Sequence, residues 1–350
     1  MEKRISVVIL NYNGAEMLRR FLPSVIEHSP EAEVIVADNA STDNSIEVMR
    51  NTFPSVRLIE LDKNYGFADG YNKALREITN QYYLLLNSDV EVTAGWLAPL
   101  LTFMDSNKDV AACQPKLLNY KEKHLFEYAG GAGGFIDRYG YPFCRGRIFD
   151  TIEQDNGQYD SMCDLFWATG ASLMIRSDDY WSAGGLDSTF FAHMEEIDLC
   201  WRLRSRGRRI VCLPESTVYH VGGATLAKSN PRKTFLNFRN NLLMLYKNLP
   251  PKELSSVMLC RSLLDYIAAA KFLLSGNIAD FKAVISARRE FSKIKSSYAS
   301  MRAENIAKSV CDIIPERATF SILWQYYAKG NKRFSDFVLF YFNICKKMDK

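Results

Sequence analysis

The sequence predicts an α/β fold, a mostly parallel central sheet with helices on both faces, followed by a C-terminal α-helical region. Three observations carry this. The first hundred residues alternate apolar runs with helical patterns, the runs are continuous rather than alternating, and the chain changes character after residue 250. The runs are ISVVIL (5–10), EVIVAD (33–38), VRLIEL (56–61) and YYLLLN (82–87). Continuous and rich in β-branched and large side chains, they read as strands covered on both faces. Between them, AEMLRRFLPSVIEH, TDNSIEVMRNTF and FADGYNKALREIT read as helices. This rhythm builds a parallel sheet through right-handed crossovers, and such sheets bind ligands beyond the carboxyl ends of their strands.

Those ends are polar. The first run leads into Asn11, Tyr12, Asn13 and Gly14, the second into Asp38, Asn39, Ser41 and Asp43, the third into Asn64, Tyr65 and Gly66, and the fourth into Asn87, Ser88 and Asp89. Each cluster alone would serve as a turn or helix cap, but turns do not require four adjacent ones. No GxGxxG follows the first run and no GxxxxGK[ST] occurs, so the dinucleotide and P-loop readings lack their physical basis. A nucleotide can still be held, with Asp38 accepting from a base N–H or ribose hydroxyl and Tyr12 offering a stacking face. Asp89 reads as a hard oxygen ligand for Mg²⁺ or Mn²⁺ beside a diphosphate, or as a cap for the helix in TAGWLAPLLTFM, a job Thr93 could do as well.

Residues 113–165 carry two Gly pairs and many aromatics without a sustained period, which suggests loops and short β segments forming a lid or acceptor wall. In LFWATGASLMIR, Trp167 is either a core aromatic or a platform for a sugar ring, and Gly170 leads into the next strand. Glu195, Glu196 and Asp198 cluster at the start of a helix, where the macrodipole favours acids. Met194, Ile197, Leu199 and Trp201 interleave them, so at least one carboxylate is expected to face a cleft, with the raised pKa a general base needs. His220 ends a short β run before a Gly pair and is read as a metal ligand, the alternative being a structural histidine.

The 350 residues are 47% hydrophobic and 24% charged, enough for a sizeable core. The cysteines are scattered, with no CxxC pair, and read as reduced thiols of a cytoplasmic protein. The N-terminal apolar run is shorter than a signal-peptide core, and the longest apolar windows fall short of a bilayer span. Two units are expected, 1–250 and 251–350. The second holds 17 Lys and Arg against 9 Asp and Glu, a net of +8 in a chain of net +4. No nucleic-acid module is present, so the basic excess points to an anionic membrane surface, with the chain peripheral to it. Leu259, Leu263, Tyr266, Ile267, Ala270, Leu273 and Leu274 follow helical spacing. So do Phe334, Phe337, Val338, Tyr341 and Ile344, flanked by Lys332, Arg333, Lys346 and Lys347. Such stripes serve intramolecular packing or an interfacial helix.

The blocks VVILNYNG, VIVADNASTDNS, NYGFADGYNKAL, YYLLLNSDVEV, GGLDSTFFAHMEEIDLCWRLRSRG and VYHVGGAT, in this order over about residues 4–250, resemble the family 2 glycosyltransferases of GT-A fold, most closely the rhamnosyltransferase-like and galactofuranosyltransferase-like branch. The resemblance implies inverting transfer of a sugar from a nucleotide-diphosphate donor to a hydroxyl of a glycan or lipid-linked glycan, with a divalent metal. By the same resemblance the sugar is rhamnose. Asn11, Tyr12, Asn13 and Asp38 would hold the nucleoside, and Asn64, Gly66 and Asn72 would line the donor pocket. Asp89 stands at the metal-binding last position of the family's Asp-x-Asp motif, with Ser88 in its middle and Asn87 at the first, where a charge is lost. Glu196 stands at the base position, with Glu195 the second candidate, and His220 would complete the metal or diphosphate site. Trp167 and Gly170 are the acceptor-side candidates. Arg239 and Asn240 would close over the phosphates or lie on an exposed helix face. The competing readings are a nucleotide-sugar- or glycan-binding protein without catalysis, and a nucleotidyltransferase or dehydrogenase on a related sheet.

Overall fold

A computed structural model describes residues 3–222, 230–311 and 313–337. Val338, Tyr341, Ile344, Lys346 and Lys347 of the tail stripe, and the end of the VYHVGGAT block, lie outside the described residues.

The four leading runs form strands β1 (Ile5–Asn11), β2 (Ala32–Asp38), β3 (Arg57–Glu60) and β4 (Tyr82–Asn87), joined by helices α1 (Ala15–His28), α2 (Ser45–Thr52) and α3 (Gly66–Leu75). They pair in parallel, β1 lying between β2 and β4. Leu10 is in register with Asn87, and Asn11 with Asp38, so the polar ends of three strands meet at the point where the strand order reverses. The strands are continuous in sequence because both faces are covered. Tyr83 and Leu85 of β4 enter one core while Tyr82, Leu84 and Leu86 enter the other. Helices α1 and α2 cover the second core with Leu18, Leu22, Val25, Val48 and Met49, together with α4 (Leu97–Ser106). Helix α3 covers the first with Ala68, Tyr71, Ala74 and Leu75.

Beyond β4 the sheet becomes mixed. It takes in β5 (Val90–Val92), β6 (Val110–Asn119), β11 (Cys163–Asp164), β12 (Ser172–Arg176) and β13 (Arg209–His220), in the order β11-β13-β6-β12-β4-β1-β2-β3, with β5 on β13. Strand β12 runs antiparallel to both β4 and β6, which closes the parallel half against the rest. A second, small sheet joins β7 (Gly134–Ile136), β8 (Pro142–Cys144), β9 (Arg147–Ile148) and β10 (Thr151–Ile152). The helices that follow are α5 (Ser177–Ser182), α6 (Glu195–Ser205), α7 (Pro231–Asn248), α8 (Pro251–Leu274), α9 (Ile278–Ile294) and α10 (Ala299–Ala307).

One expectation is corrected. The boundary at residue 250 does not separate two cores, because Val257, Phe291, Tyr298, Ala318, Ile322, Phe334 and Phe337 are buried in the same cluster as β4 and β12. Residues 113–165 hold the expected short strands, β7 to β11, and their aromatics are packed. Phe135 packs on Phe334 with ring centroids 5.0 Å apart, and Phe143 on Phe337 at 6.3 Å. The aromatics of this segment are aperiodic because they meet a distant part of the chain rather than a neighbouring strand.

Candidate active site

Strand β4 delivers Asn87, Ser88 and Asp89 to the reversal point, and its turn is held by the Asn87 N–H donating to the Ala171 carbonyl at 3.0 Å. Strand β13 pairs antiparallel with β5, placing His220 opposite Val90, and the Val221 N–H donates to the Asp89 carbonyl at 3.1 Å. These backbone bonds bring His220 Nε2 to 3.1 Å from Asp89 Oδ1 and 3.4 Å from Asn87 Nδ2. On its other side His220 Nδ1 lies 3.3 Å from Glu127 Oε1. All three of Asp89, Glu127 and His220 are buried. Burial opposes the imidazolium, but the charge of Glu127 and the contacts to Asp89 outweigh it and push His220 up to about 10. Burial likewise opposes the Asp89 carboxylate, and the hydrogen bond and charge of His220 hold it below its ordinary value. Glu127 sits in an aperiodic aromatic segment and had no signal in the sequence.

The nucleoside-side candidates form one hydrogen-bonded patch. Asn11 Nδ2 donates to Asp38 Oδ2 at 2.9 Å and to Ser41 Oγ at 3.2 Å, and Asp38 Oδ1 accepts from the Ser41 N–H at 2.8 Å. Asn13, at φ 51°, accepts from the Thr42 N–H at 2.7 Å, and Tyr12 is left exposed. Asn11 Oδ1 is buried with no partner among the described residues. Ser88 Oγ lies 3.6 Å from where a Cβ on Gly14 would sit, at the mouth of α1. Asn64 accepts from the Gly66 N–H at 2.8 Å and from Asn39 Nδ2 at 3.1 Å, so Asn39 ties the second strand end to the third.

Glu195 and Glu196 begin α6 at the end of a strained loop. Phe191, His193 and Met194 all hold positive φ, an arrangement that costs about 1–3 kcal/mol per residue and persists only when the surroundings impose it. Two sets of hydrogen bonds impose it. The Phe191 carbonyl accepts from the Phe67 and Ala68 N–H groups at 2.6 and 3.1 Å; Asn240 Nδ2 donates to the carbonyls of Phe190, Ala192 and His193 at 2.8–2.9 Å. Behind the loop, the buried Asp198 accepts from Lys247 at 2.8 Å and pairs with Arg202 at 3.0 Å, which fixes α6 against α7. Gly66 is required here: at φ +73°, a Cβ on it would lie 2.5 Å from the Phe191 ring. Gly170 lies between the two halves of the site. A Cβ on it would meet Phe67 at 3.1 Å and the Glu196 Cβ at 3.9 Å, while its neighbour Ala171 holds Asn87.

Both acids have a buried Oε2 without a partner among the described residues, as does His193 Nε2. Burial pushes Glu196 up to about 7. Burial, and next the charge of Glu196, raises Glu195 well above the ordinary value. Burial lowers His193 to about 4, so it stands neutral.

Three of the candidates have their polar atoms engaged within the fold. Asn72 is consumed by the fold: Nδ2 donates to the Leu186 carbonyl at 2.7 Å, and Oδ1 accepts from Tyr180 Oη at 2.7 Å and the Leu186 N–H at 3.1 Å. Trp167 is a core residue, buried against Gly134 with its indole N–H donating to the Phe135 carbonyl at 2.8 Å, and presents no ring to a sugar. Asn240 is fully buried and staples the loop before α6 rather than closing over phosphates, while Arg239 donates to the Thr189 carbonyl at 2.7 Å.

Residues 6–157 match the family described as glycosyl transferase family 2. The chain is 25% identical over 236 residues to the N-acetylglucosaminyl-diphospho-decaprenol L-rhamnosyltransferase of Mycobacterium tuberculosis, covering 62% of this chain and 75% of that one. Among solved structures it resembles GalNAc-T7 with UDP, GalNAc and Mn²⁺ (TM-score 0.55, 17% identity), which covers 69% of this chain while the chain spans 47% of that protein. It also resembles the mannosyltransferase PcManGT of Pyrobaculum calidifontis with GDP-Man and Mn²⁺ (TM-score 0.51, 15% identity), over 88% of this chain and 86% of that one. The sheet with its reversal point and these likenesses agree on the GT-A fold, and residues 6–157 match glycosyl transferase family 2.

Proposed function

We propose that the protein is an inverting, metal-dependent glycosyltransferase that moves a sugar, rhamnose in the first instance, from a nucleoside-diphosphate donor to a hydroxyl of a glycan or lipid-linked glycan in cell-surface polysaccharide synthesis. The observation that supports the mechanism is the buried Glu196 oxygen without a partner among the described residues, at the start of a helix behind a braced loop and next to Gly170, whose neighbour Ala171 holds Asn87. Glu196 takes the proton of the acceptor hydroxyl as its oxygen bonds to the anomeric carbon. The bond from that carbon to the diphosphate oxygen breaks on the opposite face, and the electron pair leaves with the diphosphate. Glu195, buried beside Glu196 and raised by that burial and its neighbour's charge, is the second candidate for the same role. Asp38 and Asn11 orient the nucleoside, and Asn64 with Gly66 shapes the loop over it.

Asp89 and His220 would hold a divalent cation by an oxygen and a nitrogen now 3.1 Å apart, and His220 would have to release the proton it shares with Asp89 to do so. Among the described residues no three His, Cys, Asp or Glu side chains are grouped to hold an ion alone, so the remaining ligands would come from the donor and water. A cation bound there supplies positive charge to the departing diphosphate. Glu127 holds the far nitrogen of His220, which turns Nε2 toward Asp89.

A panel of nucleoside-diphosphate sugars, with release of the nucleotide measured with and without EDTA, tests the reading. Turnover with one donor, lost in EDTA and restored by Mn²⁺ or Mg²⁺, is expected. Donor binding without turnover across the panel and a range of glycan acceptors would overturn it.

A further inference from the structure

Helix α8 buries an ion pair and exposes leucines. Its buried face carries Arg261 and Asp265, paired at 3.0 Å, with Arg288 of α9 on the second Asp265 oxygen at 2.6 Å. Arg261 also donates to the Tyr139 carbonyl at 3.0 Å, which ties the helix to the body through polar groups. Its outer face carries the apolar stripe: Leu259 is 74% exposed, Leu263 65%, Ile267 56% and Leu274 88%. Val257 and Ala269 share the buried face, and the contiguous apolar stripe left in water on the other marks a surface that meets something apolar.

The surroundings say what. From residue 251 to 297 every exposed charged side chain is basic: Lys252, Lys271, Lys282, Arg289, Lys293 and Lys295. Each acid in that span is at least partly buried, and Asp265 and Glu253 are neutralised by arginines. The stripe is extended by exposed aromatics, since Lys271 Nζ lies 5.7 Å from the ring of Tyr327, and Trp324 on the same short helical turn is also exposed. Apolar residues flanked by cations, with Trp and Tyr at the edge, are the composition of a helix that lies in the headgroup region of an anionic bilayer. No helix among the described residues is long and apolar enough to cross a membrane.

We propose that the outer face of α8, with Trp324, Tyr327 and the basic residues of α9, is a docking surface for an anionic lipid bilayer. A second copy of the chain would also cover leucines, but the exposed cations of α8 and α9 would then face their own kind. The inference deepens the reading of a lipid-linked acceptor. The binding assay contains neither donor nor acceptor, so its failure and the failure of that reading are told apart. Full-length protein is sedimented with vesicles of three parts phosphatidylcholine to one of phosphatidylglycerol, and with pure phosphatidylcholine. Binding to the anionic vesicles, weakened in high salt, is expected. Leu263→Glu and Ile267→Glu, both exposed and expected to leave the fold and thermal melt unchanged, should each weaken it about tenfold or more. Absence of binding to anionic vesicles overturns the proposal. So does binding that both substitutions leave intact, or a dimer in sedimentation velocity that Leu263→Glu dissociates while vesicle binding is absent.

Discussion

Replacing Glu196 by Gln should remove activity and, at neutral pH, make the protein more stable. Burial raises this carboxyl from 4.5 to about 7, so the folded state disfavours its charge. A shift of that size corresponds to about 3 kcal/mol, and partial exposure of the side chain reduces it to about 1–3 kcal/mol. The folded pKa lies above the unfolded one. The favourable protonated state is therefore fully present below pH 4.5, and stability is lost as pH rises through about 7. Glu196→Gln carries no such loss, so its urea-unfolding free energy should exceed that of the wild type at pH 8 and approach it at pH 4.5. Activity runs the other way. A base that must be ionised is about one-tenth deprotonated one pH unit below its pKa, so kcat/KM should fall about tenfold from its plateau by pH 6. An ordinary carboxylate would be almost fully ionised there. Glu196→Gln should lower kcat by about 10²–10⁴-fold with donor affinity nearly unchanged. A flat kcat/KM between pH 5.5 and 8 would refute a base of raised pKa at either acid, and full turnover in the variant would move the base to Glu195.

Asp89→Asn and His220→Ala should abolish tight Mn²⁺ binding in the presence of a nucleoside diphosphate, read by calorimetry or electron paramagnetic resonance. Glu127→Gln should weaken it by about 10–100-fold, since it only orients the imidazole. Asn72→Ala removes three buried hydrogen bonds and should cost about 2–4 kcal/mol in denaturant unfolding. KM for the donor should stay constant in Asn72→Ala, and a large rise in KM at unchanged stability would return Asn72 to the donor pocket.

The sequence and the structure divide the site between them along a physical line. Backbone preference and burial pattern are local, so β1 to β4, the helices between them and the polar residues at their ends were legible from runs of six residues or so. Asn11, Asp38, Asn64 and Asp89 could be placed at one edge because a parallel sheet puts every strand's carboxyl end on the same side. The raised pKa expected at Glu196 also followed from acids interleaved with bulky apolar residues.

Direction and partnership were not legible. An amide such as Asn72 and a large aromatic such as Trp167 have the composition of ligand contacts, and whether their polar atoms face a cleft or a carbonyl is set by chain segments far away in sequence. Glu127 meets His220 across 93 residues, through a segment with no period to read. Helix α8 shows the limit most clearly. Its spacing disclosed two faces, one apolar and one polar, and local sequence cannot say which of them turns inward. That was decided by Arg261 and Asp265 finding buried partners in α9 and in the loop at Tyr139, leaving the leucines outside.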